Sequence, residues 1–195
     1  MAAFRKALEL GVPEVETDVG FTRDKKLVLF HDRTLDRTTN GAGPPSDYSL
    51  EELKQLDAGS WLDPSETSGF EWGEDYTGER LITLDELFET FGDRFVYHID
   101  IKRRTEGLVA AVIDNIRSRG LIDRVYVSTI DDEAYLFEAK QLEPKIRTAL
   151  APRRQLEAQG SGAIEEVARR GHEMVVFSAL NHRRELVDLA HRLGM

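Results

Sequence analysis

Two carboxylates and an imidazole lie close together early in the sequence. Glu16 and Asp18 are separated by one residue, and His31 follows after a short polar turn. Side chains alternate between the two faces of a strand, so carboxylates at positions i and i+2 point the same way and can bind one divalent cation. His31 is then expected on the next strand, near that pair. The pattern predicts a hydrolytic metal site, whereas the two acids alone would be more typical of a solvated strand face.

The composition limits the classes of partner. The chain has 195 residues, 41% of them hydrophobic, which fits one globular domain with a sizeable core. The formal net charge of -10 argues against nucleic acid or anionic lipid as a partner, because both need a basic surface. An anionic substrate would have to be shielded from these acids, and a bound divalent cation would provide that shielding.

Other classes of protein are excluded by what the sequence lacks. There is no cysteine, which excludes thiol catalysis, disulfide bonds and thiolate metal sites. No apolar run approaches the roughly 20 residues of a membrane span, and residues 1–10 predict an amphipathic helix rather than a signal peptide. As written, the sequence predicts a cytoplasmic protein, with an exported parent left open.

Apolar periodicity predicts alternating helices and strands. After the first helix, a strand covers residues 15–21, and residues 27–30 return as the second arm of a hairpin. Residues 33–80 are rich in glycine and proline and predict an insertion that caps a site. The insertion is interrupted by one short helix, whose start is indicated by the capping box of Ser49 and Glu52.

The alternation becomes regular after the insertion. Thr83 and Glu86 form a second capping box, which opens a helix. The strands predicted after this helix cover residues 95–102, 124–128, 146–150 and 174–178. Two helices are predicted at residues 107–119 and 132–142. A further helical stretch ends near residue 170, and a last helix ends near residue 194. Strands that alternate with helices predict a parallel sheet with helices outside, either doubly wound or closed as a barrel.

The strand at residues 95–102 favours the barrel. One of its faces is apolar, whereas the other carries Val96, His98, Asp100 and Lys102 and becomes more charged toward the carboxyl end. A parallel strand covered on both faces should be apolar on both. In a barrel, catalytic groups collect at the carboxyl ends of the strands, which agrees with this pattern.

These segments resemble the glycerophosphodiester phosphodiesterase family. The similarity is most specific over residues 29–41, LFHDRTLDRTTNG, and it extends through the acidic pair, residues 2–11 and 49–61, and more faintly residues 99–102. The resemblance implies an α/β fold of the (βα)8 TIM-barrel type, with a small insertion after the histidine hairpin. It implies that residues 1–195 form one partial barrel domain with about five of the eight strands.

The resemblance also implies a reaction, the hydrolysis of glycerophosphodiesters to glycerol 3-phosphate and an alcohol. Glu16, Asp18 and Asp100 would be ligands of Ca²⁺ or Mg²⁺, His31 one of two catalytic histidines, and Lys102 the residue that binds the phosphate. Asp100 departs from the glutamate usual in the family by one methylene. The family's other histidine belongs to a His-Arg-Gly strand before the first helix, so it is expected to lie outside this sequence.

Three hypotheses stay open at this point. The first is a metal-dependent phosphodiesterase that acts on a small-molecule glycerophosphodiester. The second is a catalytically impaired remnant that still binds metal or phosphodiester. The third is a fragment that is stable only when another chain, or a second copy of this one, covers its open barrel edges.

The other histidines and the tryptophans have simpler interpretations. His98 shares the inward face of its strand, but a packed residue is favoured over a ligand. The remaining histidines are predicted at loop or helix-surface positions without a role in the site: His172, His182 and His191. Trp61 and Trp72 either line the substrate mouth or pack the insertion.

Overall fold

The computed structural model describes residues 1–61, 76–102, 105–130, 132–178 and 183–195. The chain divides into two compact units, residues 1–95 and residues 96–195, which are described in turn. Two of the positions considered above, Trp72 and His182, lie outside the described residues. None of the helices in the described part of the chain combines the length and the apolar character that crossing a bilayer requires.

The first unit is built on an antiparallel hairpin. Helix α1 (Ala2–Glu9) leads into strand β1 (Glu14–Phe21), which pairs with strand β2 (Leu27–Leu29). Val19 lies opposite Leu29 in this register. The predicted first helix and hairpin are therefore confirmed, and the hairpin returns the chain to the acidic residues of β1.

The described part of the insertion consists of short elements. Two 3₁₀ turns, at Leu35–Arg37 and Pro45–Asp47, precede helix α2 (Leu50–Leu53). The helix starts at the predicted capping box, in which the Ser49 hydroxyl accepts from the Glu52 N–H and the Glu52 carboxylate accepts from the Ser49 N–H. A helix of one turn has little stability of its own, so other contacts must hold it in place.

An apolar cluster provides the first of these contacts. Leu35 and Leu53 are completely buried against Val28 of β2, together with Leu81. Burying a leucine side chain stabilises a fold by about 1.5–3 kcal/mol. The two leucines therefore fasten the insertion to the hairpin.

The turn of the hairpin provides further contacts. The Asp24 carboxylate accepts a hydrogen bond from the Leu50 N–H at 3.0 Å, at the start of α2. The Arg23 guanidinium donates to the Asp47 carbonyl at 2.6 Å and to the Glu52 carboxylate at 2.7 Å. Both residues of the turn thus bind the insertion rather than solvent alone.

Helix α3 (Leu84–Phe91) completes the first unit. It starts at the second predicted capping box, formed by Thr83 and Glu86, and ends at Gly92. Its buried face contains four apolar side chains: Leu84, Leu87, Phe88 and Phe91. Both capping boxes read from the sequence are therefore confirmed.

The second unit contains a parallel sheet with helices between its strands. The strands pair in the order β3 (Val96–Asp100), β4 (Val125–Ile130), β5 (Arg147–Ala151) and β6 (Met174–Val175). The helices are α4 (Leu108–Ser118), α5 (Ala134–Leu142), α6 (Arg153–Gln159), α7 (Ser161–Arg169) and α8 (Arg184–Arg192). The predicted alternation and parallel pairing are confirmed.

One predicted helical stretch is divided in two. Gly160 separates α6 from α7 with a φ of +56°, a conformation that residues with a side chain rarely adopt. The chain therefore turns at Gly160. The last strand also differs from the prediction, because only Met174–Val175 of residues 174–178 belong to the sheet.

Strand β3 has the predicted division between its faces. Tyr97 and Ile99 are completely buried. On the other face, His98 is partly buried, and its ring lies 4.6 Å from the ring of Tyr126, centroid to centroid. His98 is therefore a packed residue, as expected, and Asp100 follows it on the same face at the carboxyl end of the strand.

Candidate functional site

A cavity of about 300 Å³ lies within the first unit. Three of the predicted site residues line it: Glu16, Asp18 and His31. The hairpin brings them together, because the Phe30 N–H donates to the Asp18 carbonyl at 3.1 Å. His31 follows directly after that bond, beyond the end of β2. Within this unit, the structure therefore gathers the carboxylate pair and the imidazole as the spacing predicted.

The two carboxylates of β1 differ in exposure. Glu16 is exposed, whereas Asp18 is only 7% exposed. A charged carboxylate buried to this degree needs hydrogen bonds or a positive partner, because its desolvation is costly. The pair offers hard oxygen donors, the ligands that Ca²⁺ and Mg²⁺ prefer. The donor set of this strand therefore fits a divalent cation.

His31 is paired with the residue that follows it. Its Nδ1 atom lies 2.7 Å from Oδ1 of Asp32. Asp32 in turn accepts two hydrogen bonds from Arg37, from Nε at 2.6 Å and from Nη2 at 2.9 Å. These bonds, first those from Arg37 and then that from His31, hold the pKa of the Asp32 carboxyl well below its usual range. Asp32 is therefore a carboxylate at neutral pH.

A short 3₁₀ turn places Arg37 behind Asp32. The turn is held at its start, where the Leu35 N–H donates to the Gly43 carbonyl at 2.8 Å, and at its end, where the Thr39 hydroxyl donates to the Leu35 carbonyl at 2.8 Å. The Arg37 guanidinium also lies over the ring of Trp61, 5.6 Å from its centroid. Trp61 is 46% exposed. Its described contact is therefore with the arginine that binds Asp32, at the surface of the insertion.

The second unit contains the other two predicted site residues. Asp100, at the end of β3, is only 6% exposed, and its Oδ1 accepts a hydrogen bond from the Ser128 hydroxyl at 3.0 Å. Lys102 Nζ lies 3.7 Å from Oδ2 of Asp100. Asp100 and Lys102 are thus neighbours, as their shared strand face predicted.

Two residues near the predicted site residues, Ser128 in the second unit and Arg80 in the first, were not identified from the sequence. Ser128 lies opposite Asp100 in the register of β3 and β4, and its position at the end of a predicted strand was the only available signal. Arg80 lines the cavity of the first unit and donates to the Gln55 carbonyl at 2.8 Å. The glycine-rich sequence around Arg80 gave no indication of that position.

The prediction for His172 was wrong in one respect. The residue lies between α7 and β6, outside a helix or strand as expected, but it is only 4% exposed. Its Nδ1 lies 3.0 Å from Oγ1 of Thr148, and its Nε2 lies 3.3 Å from Oε1 of Glu133. Packing between elements distant in sequence buries the ring. His191, by contrast, is exposed on α8, as predicted.

A comparison with protein families decides the classification. The model of the glycerophosphoryl diester phosphodiesterase family matches residues 1–195. The chain belongs to this family. Glycerophosphoryl diester phosphodiesterases have the TIM-type α/β barrel fold, with which the described strands and helices agree. The family depends on a divalent metal, and this chain has acidic side chains that could bind one.

Individual members of the glycerophosphoryl diester phosphodiesterase family are clearly similar in sequence. A glycerophosphodiester phosphodiesterase of Caldanaerobacter subterraneus subsp. tengcongensis is 38% identical over 154 residues, covering 77% of this chain and 59% of that protein. One from Bacillus subtilis is 30% identical over 174 residues, covering 85% of this chain and 58% of the relative. The chain thus spans less than two thirds of the length of these curated relatives.

One solved structure similar to this chain contains a reaction product. A phosphodiesterase of Oleispira antarctica, in complex with the product sn-glycerol-3-phosphate, is 25% identical with a TM-score of 0.68. The match covers all of this chain and 83% of that one. The crystal structure of a glycerophosphodiester phosphodiesterase from Agrobacterium tumefaciens str. C58 gives a TM-score of 0.78 at 25% identity, over all of this chain and 76% of the other.

Proposed function

We propose that this chain carries out metal-dependent hydrolysis of glycerophosphodiesters, releasing glycerol 3-phosphate and an alcohol. The observation that carries the proposal is the cavity of the first unit, where a carboxylate pair and an imidazole line the same space. Membership of the glycerophosphoryl diester phosphodiesterase family supports the substrate class. The product held by the Oleispira antarctica relative supports glycerol 3-phosphate as the product here.

The proposed metal ligands are Glu16, Asp18 and Asp100, for one Ca²⁺ or Mg²⁺ ion. All three offer carboxylate oxygens, the ligands that Ca²⁺ and Mg²⁺ prefer. When bound, such a cation polarises a phosphoryl oxygen and offsets the charge of the anionic substrate. The hydrogen bond from Ser128 restrains the orientation of the Asp100 carboxylate.

His31 is the proposed proton-transfer residue. Its side chain is 65% exposed and lines the cavity, so a substrate oxygen can approach the ring. Histidine changes its charge near neutral pH and can therefore take a proton from an attacking hydroxyl or deliver one to a leaving alcohol oxygen. Both roles need only a ring nitrogen within hydrogen-bonding distance of the reacting oxygen.

Lys102 is the proposed phosphate-binding residue. Its side chain is 27% exposed, and its ammonium group lies near the Asp100 carboxylate. A positive charge held beside the phosphoryl group stabilises the charge that develops in the transition state. The neighbouring carboxylate keeps the ammonium oriented.

The experiment that tests the proposal measures glycerol 3-phosphate release from glycerophosphocholine and glycerophosphoethanolamine. We expect release with Ca²⁺ or Mg²⁺ and none after the cation is removed by a chelator. His31→Ala should lower the rate by about 10²–10⁴-fold, the usual contribution of a general acid or base. His191→Ala is the matched control, because it removes an exposed histidine of α8 and should leave the rate unchanged.

Two outcomes would contradict hydrolysis by this chain. A protein that is stabilised by Ca²⁺ or Mg²⁺ but releases no product would support a binding remnant. A protein that shows no response to either cation, and whose folding depends on protein concentration, would support a fragment completed by a second chain. Thermal unfolding at several cation and protein concentrations separates these outcomes from each other.

A further inference from the structure

Asp32 lies between two groups that can donate hydrogen bonds to it. One oxygen, Oδ1, is 2.7 Å from Nδ1 of His31 and also accepts from Nη2 of Arg37 at 2.9 Å. The other, Oδ2, accepts from Nε of Arg37 at 2.6 Å. Asp32 therefore connects the ring that lines the cavity to an arginine held in the next turn of the chain.

The chemistry of these partners fixes the position of a proton. An ionised carboxylate only accepts hydrogen bonds, so the close contact with Nδ1 requires a proton on that nitrogen. A neutral imidazole carries one proton. When Nδ1 holds it, Nε2 presents a lone pair and is the ring atom that can accept a proton from a substrate hydroxyl.

We propose that Asp32 is a positioning residue that holds neutral His31 in the Nδ1–H tautomer, so that Nε2 performs the proton transfer. The inference rests on the proposed hydrolytic function and deepens it by naming the reacting ring atom. Asp32 contacts Nδ1 of His31, the ring nitrogen that does not take part in the proton transfer. It acts through the orientation and the tautomer of the histidine.

Arg37 makes this arrangement rigid. A guanidinium that donates two parallel hydrogen bonds fixes the plane of a carboxylate as well as its distance, which a lysine ammonium would not do. The arginine is itself held by the 3₁₀ turn Leu35–Arg37 and by its contact with Trp61. The orientation of His31 therefore depends on the loop that follows it.

The tautomer can be measured directly by NMR on the full chain labelled with ¹⁵N-histidine. Spectra are recorded in mildly alkaline buffer, so that the neutral imidazole with its single ring proton is observed. His31→Gln identifies the signals of His31 among the five histidines. We expect a protonated Nδ1 and an unprotonated Nε2 in the unmodified chain.

Asp32→Asn is the decisive variant. Its amide can turn its NH₂ group toward Nδ1, which then accepts a hydrogen bond and leaves the proton on Nε2. We expect the tautomer to shift toward Nε2–H, and kcat to fall by on the order of 10²-fold or more with KM changed by less than about threefold. Asp36→Asn is the matched control in the turn that follows Asp32, because the Asp36 carboxylate accepts from the Gly43 N–H and not from His31. It should leave the His31 tautomer unchanged.

Two results would overturn the inference. One is an Nε2–H tautomer in the unmodified chain, a measurement that needs no variant to fold. The other is an Asp32→Asn variant that keeps both the tautomer and kcat. If the chain released no glycerol 3-phosphate at all, the hydrolytic proposal would fail, whereas the spectra would still show whether Asp32 sets the tautomer.

Discussion

Each unit of the molecule contains a histidine beside a carboxylate, and the two pairs lie in opposite surroundings. In the first unit, the His31 side chain is 65% exposed and Asp32 lies next to it, at the wall of a cavity. In the second, the His172 side chain is 2% exposed, and its two ring nitrogens lie near Thr148 and Glu133. The same pair of chemical groups thus occurs once at an accessible surface and once in a core.

The difference shows what burial does to an imidazole. Desolvation lowers the pKa of His172 more than the neighbouring carboxylates of Glu133 and Glu173 raise it, and the Lys140 ammonium lowers it further. His172 is therefore neutral at physiological pH and serves packing and hydrogen bonding. His31 keeps its access to solvent. A histidine–carboxylate pair indicates catalysis only where a reactant can reach the ring.

The largest effect that separates the two pairs should come from His31→Gln. We expect product release to fall by about 10²–10⁴-fold, because the variant removes the proposed general acid or base. The free energy of unfolding should change by less than about 0.5 kcal/mol, as for other exposed positions. Activity assays and urea unfolding of the same preparation test both statements. A clear loss of stability would show that His31 also supports the fold, which would weaken the contrast.

His172→Leu should give the opposite result. The substitution removes the two hydrogen bonds of a buried ring, to Thr148 and to Glu133, at about 0.5–1.5 kcal/mol each, or about 1–3 kcal/mol together. We therefore expect a loss of unfolding free energy in that range, measured by urea denaturation, with product release per folded molecule unchanged. A fall in the rate constant without a fall in stability would instead connect His172 to the reaction.

The pH dependence of stability should sharpen the comparison further. A histidine whose native pKa is lowered binds fewer protons folded than unfolded, so its contribution to stability is present above the unfolded value of about 6.5. That contribution is lost as the pH falls from there through the lower native pKa. Unfolding free energies measured between pH 5 and pH 8 should decrease toward acid in the unmodified chain, and less steeply in His172→Leu. Equal slopes in the two proteins would contradict the assignment to His172.

The smallest effect on stability is expected from replacing the arginines that contact the two carboxylates, Arg37 beside Asp32 and Arg170 beside Glu133. Arg170 forms ion pairs with Glu133 and Glu166 at the surface, where solvent screens such pairs. Arg170→Gln should change neither activity nor the unfolding midpoint appreciably. Arg37→Gln should be equally mild toward stability but should lower kcat, because Arg37 holds the carboxylate beside His31. Comparable kinetics for the two variants would remove the functional distinction between the arginines.

Local features of the fold could be predicted from the sequence because their causes are local. The capping boxes of Ser49 and Thr83 depend on residues three positions apart, and the structure contains both. The alternation of strands and helices likewise follows from short-range periodicity. Gly160 was not identified as a helix boundary, since a glycine within a helical pattern carries no marker of the conformation it adopts.

Features that depend on distant packing were not predictable in the same way. His172 is buried because Glu133 and Phe137, 39 and 35 residues earlier by sequence number, pack against it. Ser128 reaches Asp100 only through the pairing of two strands. The carboxylate pair and His31 were found because one hairpin joins them, with His31 only 15 positions after Glu16. Their chemistry was therefore visible in the sequence, whereas the residues that support the site were not.

The hairpin turn has a consequence for any attempt to redesign this protein. Exposed turns are usually the segments in which insertions, deletions and substitutions are best tolerated. Here Arg23 and Asp24 hold the start of the insertion's helix, so shortening the turn or exchanging it for a generic two-residue connection would remove polar contacts to a segment more than twenty residues away. A loop graft at this position would have to bring its own anchor for that helix.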